Sequence, residues 1–207
     1  MILEMYLFID PLNSRCYEAE QDVLSIASQL DTKTIVHFIP MLNIQILHDF
    51  AKNNPTVVAN EELHYNIILD YQAASFQGKN KGRQFLLELQ KAILTNHLKY
   101  TAQLVNQIVT NVGLDSEMFE EDRRSEMTKQ VFQEDQQTVH ELKIKDPTSV
   151  VIFNSAIEDN GLLLRDFNYN SLFNLCQYTI KTPHHIDLTT VPEHTENIAD
   201  FTNYQAK

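Results

Sequence analysis

The first forty residues switch between two hydrophobic periods. Residues 2–9 are apolar with partial alternation and run into Asp10-Pro11, a pair typical of turns, so this segment predicts a β-strand. Residues 16–30 carry apolar side chains at three- and four-residue spacings, which predicts an amphipathic helix with one buried face. Residues 34–39 are rich in β-branched and aromatic side chains and predict a second strand.

A different pattern occupies the middle of the chain. From residue 60 to 142, apolar residues recur at helical spacing in four or five successive segments, and none shows the signal of a strand. Gly78, Gly82 and Gly113 stand where these helices are expected to end or turn. Asp115 or Ser116 is expected to cap one of them. The sequence therefore predicts an all-helical block over 60–142.

Strand signals return after this block. Residues 149–154 and 161–166 predict two strands joined closely enough to form an antiparallel hairpin, and a last helix follows, with Asn170 or Ser171 as its cap. The resulting order, β-α-β, a helical block and β-β-α, is that of an α/β thioredoxin fold with an all-helical insertion. We expect a thioredoxin-like domain over 1–59 and 143–180, an insertion over 60–142, and an extended or loosely packed C-terminal tail over 181–207.

Charge and composition narrow the classes of function. The 207-residue chain has a net charge of −12, which argues against nucleic acid as a partner because phosphate binding needs a basic surface. The first ten residues lack the basic region of an export signal, and the apolar runs are too short to cross a bilayer. We therefore expect no membrane association and a cytoplasmic location. In that reducing compartment Cys16 and Cys176 should be free thiols.

Three segments carry a resemblance to a known family. FIDPLNSRCY, SFQGKNKGRQFLLELQ and IKDPTSVVIFN resemble the matching stretches of DsbA-type proteins of Firmicutes, in particular the YjbH (Spx adaptor) family. The first of these stretches in that family reads Asp-Pro-Leu-Cys-x-x-Cys-Trp. Asp10, Pro11 and Leu12 match it, Cys16 matches the second cysteine, and Asn13 stands in place of the first, nucleophilic cysteine. The middle segment is the most specific match.

An asparagine in place of the first cysteine affects thiol–disulfide exchange. In a CxxC loop the first thiolate attacks and the second thiol resolves the mixed disulfide, so an asparagine cannot begin the reaction. Asn13 can instead cap the helix. Cys16 is left either as an inert buried thiol or as a single redox thiol whose pKa Arg15 would lower, and Cys176 is expected to pack in a core. No catalytic residue is assigned beyond Cys16 as a candidate.

The resemblance also implies a role for the third segment. In such folds the peptide bond before the proline is cis and faces the active-site loop, so the Asp146–Pro147 bond is expected to be cis, with Thr148 following it; an ordinary trans proline at a strand start is the alternative. His184, His185 and His194 lie in a proline-containing tail without a nearby cysteine, which favours surface histidines over zinc ligands. We expect no cofactor and no metal.

Three functions remain open from the sequence. The first is a non-catalytic adaptor that, as the resemblance implies, presents an Spx-like regulator to the ClpXP protease, with Clp components as further protein partners. The second is a single-thiol redox protein using Cys16. The third is a glutathione-dependent thiol–disulfide oxidoreductase or isomerase in which Asn13 or Ser14 would stabilise the glutathione thiolate. The oligomeric state stays open.

Overall fold

The computed structural model describes residues 1–53, 61–155, 160–182 and 188–199. Its strands and helices follow in the order β1 (Ile2–Ile9), α1 (Ser14–Gln29), β2 (Lys33–Pro40), α2 (Ile44–Asn53), α3 (Glu61–Phe76), α4 (Lys79–Gln90), a π-helical turn (Lys91–Thr95), α5 (Ala102–Val112), α6 (Ser116–Arg123), α7 (Glu126–Glu141), β3 (Ser149–Asn154), β4 (Asn160–Leu164), α8 (Tyr169–Lys181), a 3₁₀ turn (Leu188–Thr190) and β5 (Thr195–Ala199). The predicted mixture of a sheet and a helical block is confirmed.

The chain divides into two compact units. One, the sheet unit, comprises residues 1–9, 18–39 and 142–207, and the other, the helical unit, comprises residues 10–17 and 40–141. The predicted domain boundaries at 59, 142 and 180 stay a prediction.

The sheet unit contains one five-stranded sheet in the order β2-β1-β3-β4-β5. β3 pairs antiparallel with β1 and with β4, so the predicted hairpin is confirmed, and β5 adds to β4 in the same sense. Leu3, Met5, Leu7 and Ile9 have no exposed surface, which makes β1 a core strand. β5 lies in the tail that the sequence predicted to be extended or loosely packed, and it forms a hydrogen-bonded edge strand.

The turn into β3 differs from the expectation. There is no cis peptide bond in the described residues, so the Asp146–Pro147 bond is trans and the prediction was wrong. The chain turns at the next residue, where Thr148 has a left-handed φ of 63°. Its backbone N–H donates to the carbonyl of Phe8 at 2.8 Å, and the hydroxyl of Ser149 donates to the carbonyl of Asp146 at 2.9 Å. These bonds hold a conformation that a β-branched residue rarely adopts.

The helical unit holds five helices between residues 61 and 141, and that stretch contains no strand. Asp115 caps α6, as predicted, by accepting from the backbone N–H groups of Glu117 and Met118. Gly78 precedes α4 with φ 126° and Gly113 ends α5 with φ 72°, two positive values that favour glycine. Gly82 was wrongly predicted to end a helix. It lies within α4 and is buried, and a Cβ there would collide with Ser75 of α3.

The caps of the sheet unit's last helix also differ. The sequence predicted Asn170 or Ser171 as the cap of α8, but the capping residue is Asn168. Its side-chain oxygen accepts from the N–H of Ser171, whose hydroxyl in turn accepts from the N–H of Asn168. This reciprocal pair satisfies two backbone donors at once and starts the helix earlier than the apolar pattern suggested.

Candidate functional site

The loop between β1 and α1 is shaped by Asn13. Its N–H donates to the carbonyl of Asp10 at 3.1 Å, and its side-chain oxygen accepts from the N–H of Arg15 at 2.8 Å and of Cys16 at 3.4 Å. These contacts satisfy two of the free donors at the helix start. Asn13 therefore caps the start of α1.

Cys16 lies two residues into α1 and has no exposed surface. Its sulfur accepts a hydrogen bond from the backbone N–H of Asp10 at 3.3 Å, and it forms no disulfide. Because a thiol must be reached by its target to react, burial favours the inert alternative for Cys16 over the redox one. Arg15, the neighbour proposed to activate it, is exposed.

A pocket of about 720 Å³ opens beside this loop within the helical unit. Asn13 and Ser14 form its loop side, together with Asp10 and Leu12. The remaining described lining comes from α2, α3 and the segment that follows α4: Asp49, Phe50, Asn53, Leu63, Ile93, Leu94, His97, Leu98, Lys99 and Tyr100. Of the predicted site residues, the structure thus brings Asn13 and Ser14 together at one pocket, whereas Arg15 and Cys16 are not among its described lining.

A π-helical turn builds one wall of this pocket. The N–H of Asn96 donates to the carbonyl of Lys91 five residues earlier at 3.0 Å, and the N–H of Leu98 donates to that of Ala92 at 2.9 Å. His97 has a positive φ of 55°. Such wide turns are rare and frequently occur at functional sites. This one places apolar side chains on the pocket wall.

A buried histidine stands behind the loop. His64 has no exposed surface, and its Nε2 lies 3.4 Å from a carboxylate oxygen of Asp10. The contact is close enough for electrostatic attraction but is not aligned as a hydrogen bond. The Asp10 carboxylate also accepts from the N–H of Leu12 at 2.9 Å, and the ring of Phe50 meets the His64 ring edge-on at 4.8 Å. Asp10 therefore links the histidine to the loop.

A second buried charge supports the pocket from α3. Asp70 is fully buried, its carboxylate lies 2.5 Å from Nε of Arg123, and it accepts from the hydroxyl of Tyr100 at 2.6 Å. Arg123 also donates to that hydroxyl at 2.9 Å. Burial, which outweighs the attraction of Arg123, raises the pKa of Asp70 to about 6. Burial of the Tyr100 hydroxyl, and then the adjacent Asp70 carboxylate, raise the pKa of Tyr100 above its ordinary value. This triad fixes Tyr100 at the pocket wall.

The most specific sequence motif has a structural role. In SFQGKNKGRQFLLELQ, the side chain of Gln77 accepts from the N–H of Asp115 at 2.7 Å and donates to its carbonyl at 2.9 Å. Lys81 donates to the carbonyl of Gly113 at 2.7 Å, and Phe85 packs on Phe119 with ring centres 5.4 Å apart. The motif therefore clamps α3 and α4 onto the junction of α5 and α6.

The other predicted residues belong to the sheet unit. Pro147 is half-buried and Thr148 is buried in the turn described above. Cys176 is fully buried in α8 with its sulfur 3.8 Å from that of Met5. Burial raises the pKa of the Cys176 thiol to about 12, as expected for a core residue.

Comparison with known proteins decides the family. The model of the family described as Thioredoxin matches residues 6–175. This chain is a member of the thioredoxin family. The family assignment and the predicted fold are thereby confirmed.

The most similar relatives include an adaptor protein. Over 160 residues this thioredoxin-family chain is 26% identical to a ClpXP adapter protein SpxH of Staphylococcus saprophyticus, covering 77% of this chain and 59% of the adapter. The resemblance to the Spx adaptor family is confirmed. The chain spans 59% of the length of that relative.

Solved structures show the same fold. A protein from Nitrosomonas europaea described as a disulfide isomerase superposes with a TM-score of 0.69 at 15% identity, over 88% of this chain and 99% of that one. The cytosolic disulfide reductase DsbM of Pseudomonas aeruginosa gives 0.63 at 12% identity, over 86% and 98%. At these identities the likeness concerns the fold.

Two further observations concern membranes and metals. In the part of the thioredoxin-family chain that the structure describes, no helix is long and apolar enough to span a membrane. Across the same residues no cluster of histidine, cysteine and carboxylate side chains is arranged to hold a metal ion. His194 is exposed, whereas His184 and His185 lie outside the described residues.

Sequence reasoning missed several residues of the site. His64 occupies the apolar stripe of α3 together with Ile67, Ile68 and Tyr71, at three- and four-residue spacings, and this position could have identified it as buried. Asp70, a lone carboxylate in the apolar run of the same helix, carried a similar signal. Its partners Tyr100 and Arg123 are far along the chain, and no local pattern indicates them.

Proposed function

We propose that this thioredoxin-family protein is a non-catalytic adaptor that presents an Spx-like regulator to the ClpXP protease. A segment of the regulator would bind in the 720 Å³ pocket beside the loop of Asn13. The observation that carries the proposal is the structural use of the two side chains at the start of α1. Asn13 caps α1 with its side-chain oxygen, and Cys16 is buried with its sulfur occupied by a backbone donor. The start of the helix is thereby specialised for structure instead of thiol attack.

The pocket supports binding. It has a volume of about 720 Å³, within the range that ligand sites of proteins occupy, and most of its described lining is apolar. Neither cysteine is among that described lining. A partner segment could therefore rest against the loop without meeting a thiol.

The relatives support the biological role. Proteins named as ClpXP adapters match 77% of this chain, although the chain covers 59% of their first member. We propose that this portion recognises the regulator. We also propose that it works in reducing cytoplasm, where its two free thiols would stay unpaired.

A reconstituted degradation assay tests the adaptor function. Purified Spx-like regulator and ClpXP from a related Gram-positive bacterium are mixed with and without the full chain, and regulator loss is followed over time. We expect the chain to accelerate degradation, and we expect Leu94→Arg, which places a charge in the pocket, to remove the acceleration.

Met127→Arg is the matched control, because Met127 is 62% exposed on α7 and is not part of the described pocket lining. It should accelerate degradation as the unaltered chain does. An unchanged rate of degradation in the presence of the chain would contradict the proposed function.

A second candidate function is glutathione binding, and one observation favours it. The side-chain oxygen of Asn13 is used by the cap, which leaves its NH₂ group at the pocket to donate to a thiolate. Retention on immobilised glutathione, lost in Asn13→Ala, would support this function; passage of the unaltered chain without retention would exclude it. Whether or not the chain binds glutathione, Cys16 stays a candidate redox thiol only if it reacts in the folded chain.

A further inference from the structure

A buried carboxylate with an unused oxygen belongs to the pocket lining. Asp10 is only 5% exposed, yet it is among the residues that line the pocket. Its Oδ1 accepts from the N–H of Leu12 at 2.9 Å and lies 3.4 Å from Nε2 of His64, a contact that is not aligned as a hydrogen bond. Its Oδ2 accepts no hydrogen bond from any residue that the structure describes. Because buried carboxylates are normally paired, this oxygen is an acceptor that a bound donor can satisfy.

A second carboxylate adds to the negative charge at this pocket. The side chain of Asp49 is 56% exposed, accepts two bonds from the neutral amide of Gln45 at 2.9 and 3.0 Å, and lies 3.6 Å from Nδ1 of the exposed His48. Lys99 is the one lysine or arginine in the described lining, so the carboxylates outnumber it. In a chain with a net charge of −12, this balance favours a cationic group over an anionic one.

Apolar side chains accompany these carboxylates in the lining. Leu12 comes from the loop, Phe50 from α2 and Leu63 from α3. The ring of Phe50 meets that of His64 edge-on at 4.8 Å, and His64 in turn contacts Asp10, so the α2 side and the loop side of the pocket adjoin. Lysine and arginine have an apolar stem that can cover such surface while the charged end meets a polar group. The lining is therefore suited to a side chain that is apolar along its length and cationic at its end.

We infer that the pocket takes a basic side chain of the bound protein, whose cationic end pairs with the Asp10 carboxylate. Asp49 adds to the attraction, and the stem of the side chain covers Leu12 and Phe50. This inference rests on the function proposed above for the same pocket, and it names the chemical group that the adaptor recognises there. Arginine fits best, because its planar guanidinium carries several donors and pairs with carboxylates in a defined geometry.

The test titrates three acetylated, amidated pentapeptides, Gly-Ser-Xaa-Ser-Gly, into the isotope-labelled full chain and follows its backbone amide signals by NMR. Xaa is arginine, citrulline or glutamate, and citrulline has the stem and shape of arginine without its charge. The arginine peptide should shift the signals of Leu12, Asn13 and Ser14. It should bind about tenfold more tightly than the citrulline peptide, because a hydrogen bond between charged groups contributes that much. The glutamate peptide should bind more weakly than both.

Matched variants assign the preference for arginine over citrulline to the carboxylates. Asp10→Asn keeps an oxygen for the N–H of Leu12 but removes the charge, so the preference should nearly vanish. Asp49→Asn should reduce it about two- to fivefold, the range for an exposed ion pair, whereas Asp31→Asn, at an exposed aspartate outside the described lining, should leave it unchanged. Lys99→Met should strengthen binding of the arginine peptide about twofold, because it removes a repulsion between like charges.

Equal binding of the arginine and citrulline peptides, or no binding of either, would overturn the inference, as would an arginine preference that survives both Asp10→Asn and Asp49→Asn. If circular dichroism shows that Asp10→Asn is unfolded, Asp49→Asn decides together with salt. At about 1 M salt the preference should be lost, because screening then acts within about 3 Å. The adaptor function fails separately: the expected preference without faster degradation of the regulator rejects presentation to ClpXP, and faster degradation without the preference rejects only the basic group.

Discussion

The two buried cysteines lie in chemically different surroundings. Cys176, in the sheet unit, packs next to the sulfur of Met5, and burial raises its pKa to about 12. Cys16, in the part of α1 that belongs to the helical unit, accepts from a backbone N–H of a loop whose Asp10 contacts a buried histidine. Cys176 is therefore buried next to an apolar side chain, whereas the buried sulfur of Cys16 contacts a polar backbone group.

Two contacts with a fully buried member lie in the helical unit: His64 with the Asp10 carboxylate, and Asp70 with Arg123. Each contact involves a residue of the pocket lining: Asp10 is the partner of His64, and Tyr100 donates to Asp70. These buried contacts hold two residues of the pocket lining, Asp10 and Tyr100, in place.

The largest effect is expected from breaking the Asp70 pair. Arg123→Met should lower the free energy of unfolding by about 3–5 kcal/mol, because it leaves a buried carboxylate without its counter-charge. Urea unfolding measures this. Arg124→Met is the matched control, since Arg124 is 80% exposed and, among the residues that the structure describes, pairs with Glu120; it should cost about 0.5 kcal/mol or less. Equal losses for the two variants would show that the buried pair has no special role.

The contrast between the cysteines can be tested by alkylation. In the folded chain at pH 8, both thiols should react with iodoacetamide at least about 100-fold more slowly than in urea, because burial prevents access and, for Cys176, a pKa of about 12 leaves little thiolate. Cys16→Ser and Cys176→Ser isolate the remaining thiol in each case. Rapid labelling of Cys16 in the folded Cys176→Ser variant would restore the single-thiol redox function as a candidate.

The pKa of Asp70 makes the free energy of unfolding depend on pH, with an effect somewhat smaller than that of Arg123→Met. A carboxyl with a pKa of about 6 in the folded chain and 3.8 as its ordinary value binds more protons when folded, so its contribution to stability falls as pH rises from about 4 to about 6 and is constant outside that window. Compared with Asp70→Asn, which lacks this titration, the unaltered chain should lose about 2–3 kcal/mol across the window. A difference between the two proteins that is constant with pH would contradict the raised pKa.

The smallest effect concerns the pocket wall. His97→Gly should raise the free energy of unfolding by about 0.5–1 kcal/mol, because glycine adopts a φ of 55° without the steric cost that histidine bears. The neighbouring Asn96 has a φ of −90°, so Asn96→Gly should bring no gain. Thermal unfolding distinguishes the two. A loss of stability in His97→Gly would indicate that the imidazole makes a contact stronger than the backbone strain.

Local patterns in the sequence predicted the fold well. The strand at residues 2–9, the helical block and a hairpin follow from hydrophobic period and turn residues. The hairpin was predicted at 149–154 and 161–166, and its second strand ends two residues earlier, at Leu164. The capping role of Asn13 follows from the chemistry of an amide at a helix start. These features depend on residues close together in the chain. That is why a single sequence was sufficient for them.

Features that depend on distant contacts were missed. Gly82 looked like a helix end because nothing local shows that Ser75 packs against it, and the edge strand β5 forms only because β4 offers a partner. The triad of Asp70, Tyr100 and Arg123 joins three separate segments. The π-helical turn has ordinary helix-forming residues, so its sequence gave no sign of it. At Pro147 the family pattern suggested a cis bond, but the turn is made by Thr148.

Redox activity of the loop tests the central claim most directly. In the insulin-reduction assay the unaltered chain should be inactive, because Asn13 cannot attack a disulfide. Asn13→Cys places a thiol three residues before Cys16 at a helix start, a spacing compatible with a disulfide, and it should show a measurable reduction potential that the added change Cys16→Ser removes. Insulin reduction by the unaltered chain at thioredoxin-like rates, abolished by Cys16→Ser, would contradict the proposal that this loop serves binding and not thiol chemistry.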